Sequence, residues 1–436
     1  MDSIKIAVLG AGTVAGGTFR VLTRNQEEIT RRAGRAIEIT LVGARNLDRA
    51  RQMFGPAVEV KSDLFAVVND PRIEIVLELI GGETLARELV LHAIAAGKHV
   101  VTANKALLAH HGNEIFAAAQ AKGVMVAFEA AVGGGIPIIK ALREGLTANR
   151  LAWLAGIING TSNFILSAMR SEGKSFGEAL LEAKRLGYAE VDPSFDVEGI
   201  DSAHKLSILA AIAFGVPVQF DACYTEGISA LALQDMRAAE QLGYRIKLLG
   251  IARRAPGGIE LRVHPTLIPS RRLMANVEGV MNAVLVQGDA VGATLYCGAG
   301  AGAEPTASAV VADLVDVTRL HTADPENRVP HLAFQADALA ATPILPIDAV
   351  TTAYYMRLRV FDRPGVLADV TRILADASIS IGAFLQHQPE ENEEETDIIL
   401  LTHLAIERDV REAIRRIEAL DSVLGSVILI RVEELS

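Results

Sequence analysis

The stretch IKIAVLGAGTVAGG, residues 4 to 17, decides the fold of the first half of the chain. Its apolar run Ile4 to Leu9 predicts a buried strand, and Gly10, Gly12 and Ala15 then follow in the G-x-G-x-x-G/A spacing. A helical pattern continues through Phe19, Val21 and Leu22. In such a turn Gly10 permits the tight bend, Gly12 lets the backbone approach a pyrophosphate, and Ala15 keeps helix and strand close. Thr13 and Val14 open the helix, whose free N–H groups attract an anion. A Gly-rich turn without a ligand would show the same letters. The strand-helix alternation that follows favours a dinucleotide site.

That alternation has strand candidates at Ile37 to Val42, Ile75 to Ile80, His99 to Thr102 and Val124 to Phe128, with helical patterns at Leu85 to Ala96 and Ala106 to Ala121. It reads as an α/β fold with a Rossmann-type doubly wound parallel sheet. After the second strand, where NAD-selective folds place an acid, stand Gly43, Ala44, Arg45 and Asn46. Arg45 can accommodate a 2′-phosphate, so NADP(H) is favoured and NAD(H) stays open. Gly81 and Thr102 lie at carboxyl ends of strands, where such sheets bind ligands. Lys105 begins a helix, a position unfavourable for a cation, which points to a functional role.

The chain has 436 residues, half of them hydrophobic, enough for two or three domains. It has no apolar run long enough to span a membrane and no signal-peptide pattern, so a cytoplasmic protein is expected. A net charge of -11 argues against nucleic acid as a partner. With two cysteines, Cys223 and Cys297, no disulfide framework is expected and a Cys-based metal cluster is excluded; both are expected to be buried.

From Glu129 a Gly-rich crossover, EAAVGGGIPIIKAL, leads out of the nucleotide unit. A strand from Leu151 to Ile158, a polar Asn-Gly-Thr-Ser turn and a helix follow. The acidic stretch GYAEVDPSFDVEGIDSAHKL, residues 187 to 206, then runs into a helix from about Ser202. A second Gly-rich loop with Gly298, Gly300 and Gly302 precedes a helix capped near Thr306 and expected to return to the nucleotide domain. The final unit reads strand, helix, strand, strand, helix, strand, the ferredoxin-like βαββαβ order. Its acidic run Glu390 to Asp397 is expected to be a solvated hairpin loop. The expected domains are residues 1-130 completed by 303-345, an α+β substrate and dimerisation domain over 131-302, and a unit over 350-436.

Taken in order, GAGTVAGG, ELIGGET, VTANKALLA, EAAVGGGIPII, GIINGTSNFIL, GYAEVDPSFDVEGIDSAHKL and GAGAGAEPTASAVVADL resemble the homoserine dehydrogenases over essentially the whole chain, and the last unit looks like a regulatory ACT domain. The resemblance implies interconversion of L-homoserine and L-aspartate 4-semialdehyde with a nicotinamide cofactor, on the route to threonine, methionine and isoleucine. It implies that Glu190 binds the substrate ammonium, that Asp201 lies in the same site, and that Lys205 is the acid-base residue, helped by Lys105, which also contacts substrate and cofactor. With a helix starting at Ser202, Asp201 would be its N-cap. Asp196 stands open between site and scaffold; Asp192 and Glu198 read as solvated loop, and His204 as a packed or capping residue. Gly302 is implied to touch the cofactor. Glu129 with the carbonyls of Val132, Gly134 and Ile136 resembles a monovalent cation site, usually sodium. The turn Asp362 to Leu367 implies feedback inhibition by L-threonine, and the chain is expected to form a homodimer or homotetramer. Two competing readings remain: another amino-acid semialdehyde or hydroxy acid dehydrogenase, and a non-catalytic cofactor-bound sensor.

Overall fold

A computed structural model describes residues 2–386 and 394–436; residues 390–393 of the acidic run lie outside the described residues. The chain divides into two compact units. The first comprises Met1–Gly160, Ala203–Asp221 and Met281–Thr342, and the second Thr161–Ser202, Ala222–Val280 and Pro343–Ser436.

The first unit is built on six parallel strands, β1 (Ile4–Leu9), β2 (Ile37–Gly43), β3 (Glu59–Lys61), β4 (Ile75–Glu78), β5 (His99–Thr102) and β6 (Val126–Ala127), in the order β3-β2-β1-β4-β5-β6. The order reverses beside β1, the switch point at which doubly wound sheets bind their ligands. β1 and β4 are fully buried but for Lys5, as continuous apolar runs covered on both faces must be. β3 escapes the sequence pattern because it is a three-residue edge strand with one apolar residue between Glu59 and Lys61. The helix Ala303–Leu320 packs on the helix Thr13–Arg24, where Arg24 pairs with Glu304 at 3.0 Å. Its cap differs from expectation: Gly302, at φ +125°, precedes the helix and Thr306 lies inside the first turn. A three-stranded antiparallel sheet, Gly292–Ala299, Met281–Gly288 and Leu151–Ile157, completes this unit. Cys297 corrects the expected burial: it is exposed on Gly292–Ala299, which ends its sheet, and Cys223 is half-buried.

In the second unit the hairpin Tyr244–Ala255 and Gly258–Pro269 is almost wholly buried along its second strand. The ferredoxin-like unit has Val423–Val432, Thr351–Phe361, Glu395–Thr402 and Ile381–Gln386 side by side, with the helices Val366–Asp376 and Glu407–Glu418 packed on their core. It is joined to the hairpin through main-chain pairing, Thr266 with Arg431 and Leu267 with Val432, in parallel.

Candidate active site

At the carboxyl end of β1 the chain turns through Gly10, whose φ of +107° and distance of 2.7 Å from a built Cβ to the Leu79 carbonyl leave room for glycine alone. Gly12 is different. A Cβ there meets nothing within 4 Å, and the helix it precedes has no side-chain cap. Open space beside uncapped amides fits a pyrophosphate. Thr13 and Val14 form the first turn of that helix, and Arg45 is exposed just after β2. The close packing assigned to Ala15 is shared with Gly17, where a Cβ would stand 2.2 Å from the Ala303 carbonyl.

A buried network that the sequence reading missed orders the ends of β4 and β5. The Glu78 carboxylate accepts from the amides of Ile80 and Gly81 at 3.0 and 3.2 Å and from the Thr102 hydroxyl at 2.7 Å. Burial raises its pKa against those three donors. Asn104 receives the next links: its amide donates to Thr102 Oγ1 and its Nδ2 to the Gly82 carbonyl at 2.6 Å, while its Oδ1 caps the helix Lys105–Lys122. Thus Gly81, Thr102 and Lys105 are held at one end of the sheet by Glu78 and Asn104. The ELIGGET motif contained this acid; its burial was the missing signal.

The crossover folds against the second Gly-rich loop. The Gly135 amide donates to the Ala299 carbonyl at 2.9 Å, and a Cβ on Gly134, at φ +55°, would lie 2.3 Å from the Gly300 carbonyl. Glu129 is buried, its two carboxylate oxygens accepting from the amides of Ile139 and Lys140 and its own amide donating to Asp313. Burial pushes the Glu129 carboxyl up to about 7 and Asp313 well above its ordinary value. A monovalent cation would relieve that desolvated charge, so the donor set fits one. The Ile136 carbonyl already accepts from Ile138 at 2.8 Å, leaving it one lone pair for such an ion. Among the described residues no group of three or more His, Cys, Asp or Glu side chains could hold a metal.

The acidic stretch is anchored by the turn that precedes it. Thr161 donates to the Tyr188 carbonyl at 2.7 Å and Ser162 to the Asp196 carbonyl at 2.9 Å. Both hydroxyls belong to the first turn of the helix Gly160–Glu172, so the Asn-Gly-Thr-Ser segment is a clamp as well as a turn. Asp192 accepts from the amide and hydroxyl of Ser194, a local turn that uses its carboxylate. Glu190 is exposed next to Val191, which is 94% exposed. The following helix is Ile200–Phe214, starting two residues before the expected position. Asp201 is therefore inside its first turn and not its N-cap, a placement that the helix dipole favours. Asp201 and Lys205 are both buried, and Lys205 Nζ donates to the Ile158 carbonyl at 2.7 Å. His204 is buried with its ring against His110 and Phe220, a packed residue as expected.

Comparison with known proteins finds the same pattern. A family model described as homoserine dehydrogenase matches residues 137–315, one for the homoserine dehydrogenase NAD binding domain matches residues 10–129, and an ACT domain model matches residues 354–422. A homoserine dehydrogenase of Pseudomonas aeruginosa is 62% identical over the full length of both chains. The crystal structure of a homoserine dehydrogenase from Thiobacillus denitrificans is 69% identical, covers 100% of this chain and 99% of its own, and superimposes with a TM-score of 0.96. A hyperthermophilic archaeal homoserine dehydrogenase in complex with NADPH shares the fold at 24% identity and a TM-score of 0.61, covering 74% of this chain and 99% of its own.

Proposed function

Because the chain belongs to the homoserine dehydrogenase family, and so interconverts L-aspartate 4-semialdehyde and L-homoserine with a nicotinamide cofactor, we propose an assignment of that reaction to its residues. The observation that carries it is Lys205, a lysine buried on the helix that leaves the acidic stretch, with its ammonium fixed on the Ile158 carbonyl at 2.7 Å. A buried cation so oriented can donate a proton to a developing alkoxide and stabilise its charge. The nicotinamide, when bound, supplies or accepts the hydride. Lys105, at the start of its helix, shares the charge stabilisation. Glu190 and Asp201 take the substrate ammonium, with Asp196 beside them, its backbone fixed by Ser162.

The cofactor is held by Gly10, Gly12, Thr13 and Val14 on its phosphates, with Gly81, Thr102, Lys105 and Gly302 around it. Arg45, exposed after β2 in place of the usual acid, supports a preference for NADP(H). A sodium ion at Glu129, Val132, Gly134 and Ile136 would neutralise buried carboxylate charge next to the crossover. The turn Asp362 to Leu367, with Gly365 at φ +100° opening a helix, is the proposed place for L-threonine as feedback inhibitor. Association as a homodimer or homotetramer is supported by the edge strand Ile381–Gln386, which exposes Phe384. Biosynthetic chemistry drawing on NADPH suits a cytoplasmic setting.

The deciding experiment follows nicotinamide absorbance with L-homoserine, using NADP and NAD in turn, for wild type and Lys205→Ala. Lys205→Ala is expected to lose about two to four orders of magnitude in turnover while its cofactor affinity changes little. Near-normal turnover of that variant would remove Lys205 from the chemistry. Homoserine oxidation releases a proton as the hydride leaves, so alkaline pH should favour it. Adding L-threonine to the same assay is expected to inhibit; a flat response rejects the regulatory reading.

A further inference from the structure

In the second unit, the helix Glu407–Glu418, the strand Val423–Val432 and the segment 224–231 border an open cleft of about 650 Å³. That is the size of a small-molecule site. Nothing in the reaction above uses it. Four arginines line it, Arg408, Arg411, Arg415 and Arg431, against the carboxylates Glu226 and Asp348, in a chain whose net charge is -11. Among the lining residues guanidinium groups outnumber carboxylates four to two, although each of the four also holds a carboxylate partner.

The four are not equivalent. Arg431 is buried and committed to the protein, donating to Glu407 and to Glu226 at 2.9 Å. Arg408, Arg411 and Arg415 follow one another at i, i+3 and i+7 and so share one face of their helix. Arg411 gives Nε to Glu407 at 2.8 Å and Nη2 to the Tyr224 hydroxyl at 2.9 Å. Among the described residues Arg408 and Arg415 pair with neighbours on their own helix, Asp409 and Glu412, and all four of these side chains are exposed. Such pairs hold weakly and a ligand can replace them. The lining also includes the apolar side chains of Leu231, Ile414, Val427 and Leu429. The chemistry is that of a short apolar body carrying a carboxylate, which an arginine fork grips bidentately.

The opposite wall leads to the substrate stretch. Within the segment 224–231 the Glu226 amide donates to the Val263 carbonyl and the Ile228 amide to the Val197 carbonyl, each at 2.8 Å. Between them a Cβ on Gly227 would lie 2.4 Å from the Glu198 carboxylate and 2.6 Å from the Val197 carbonyl. The wall and the acidic loop are in contact with no slack, so a shift of one displaces the other. An anion gripped by Arg411 draws on the Tyr224 hydroxyl, which itself donates to Glu226 at 2.8 Å.

We propose that this cleft binds a small carboxylate on Arg411 and Arg415, and that its occupancy is transmitted through residues 226–228 to the acidic loop, changing the affinity for homoserine. The binding step stands by itself; the transmission rests on the assignment of residues 190–205 to the substrate site. The test uses the full-length enzyme with succinate and inorganic phosphate as probes, read by calorimetry in sodium chloride of matched ionic strength. Saturable succinate binding is expected, about tenfold weaker in Arg415→Gln and in Arg411→Gln. Arg415 is exposed, so its variant keeps the fold and carries the decision. Saturating succinate should shift the homoserine KM of wild type, leave the cofactor KM in place, and do neither in Arg415→Gln. Absence of saturable binding, equal binding by Arg415→Gln, or phosphate binding as tight as succinate overturns the carboxylate site. Succinate binding with an unmoved homoserine KM overturns the transmission, while the fate of Lys205→Ala is decided separately by its turnover.

Discussion

Two glycines five residues apart in the opening motif do different work, and a single methyl group separates them. Gly12→Ala adds a Cβ into open space, so its thermal stability should stay near wild type while its cofactor KM rises at least about tenfold, because the methyl occupies the pyrophosphate approach. Gly17→Ala drives a Cβ to within 2.2 Å of the Ala303 carbonyl and should destabilise by about 1–3 kcal/mol, with cofactor KM recovering at low temperature. Denaturation midpoints and cofactor KM, measured on both variants, check the pair; equal loss of stability in the two would refute the distinction. The fingerprint made Gly10 and Gly12 legible because its spacing names them, although the Leu79 carbonyl that crowds Gly10 was not. Gly17 was illegible because its partner lies 286 positions onward, and Glu78 because nothing local marks a carboxylate as buried. The acidic stretch was legible as a concentration of charge. Its anchors Thr161 and Ser162 were not, since side-chain to backbone bonds leave no trace in spacing.

At the scale of elements, β5 and β6 are tied by a histidine that must stay neutral. His99 is buried on β5 and its Nδ1 accepts the Met125 amide at 2.9 Å, while His331 Nε2 accepts the Val126 amide at 3.1 Å. Burial, with His321 and Arg328 nearby, lowers His99 to about 3, and burial with Arg143 and Arg328 nearby lowers His331 to about 4. Both rings titrate near 6.5 when unfolded. Between that value and their folded ones the unfolded chain binds more protons, so the stabilisation is complete above about pH 6.5 and is lost as pH falls toward 3. His99→Asn, which keeps an acceptor but cannot charge, should flatten the fall of the denaturation midpoint over this window; an unchanged slope would exclude His99 as its source. The strands themselves were readable from their apolar runs. Of the six parallel strands only β3 was hidden, too short and too charged to register; the helix expected from Ser202 starts at Ile200, and the cap expected near Thr306 moved four residues to Gly302, where no side chain caps the helix.

At the scale of the whole molecule, the Pro-containing join before Thr351 suggests a regulatory unit that could be removed cleanly, yet the last strand of that unit is part of the hairpin's sheet. Sequence cannot show this, because a strand's edge partner is set by tertiary contact and leaves both patterns unchanged. The seam is also ionic: Arg262, buried to 1% exposure, donates to Glu433 at 2.5 Å and to Glu260 at 3.0 Å, and Arg253 donates to Glu433 at 2.6 Å. Burying three such charges is tolerable only while each keeps its partners. Glu433→Ala should therefore cost about 3 kcal/mol, with Glu433→Gln recovering part of it through its remaining acceptor. A chain ending at Pro346 removes Glu433 together with the strand, leaving Thr266 and Leu267 without their edge partners and the buried Arg262 without that carboxylate. It should lose solubility and cooperative unfolding before any regulatory question can be asked of it. The shorter archaeal homoserine dehydrogenase shows that the fold exists at three quarters of this length, but in this chain the hairpin carries charges fitted to the final strand. If light scattering found the truncated chain monodisperse with an unchanged melting temperature, the seam would be a contact of convenience; aggregation, with Glu433→Ala partway toward it, would make the ferredoxin-like unit a structural part of the enzyme as much as a regulatory one.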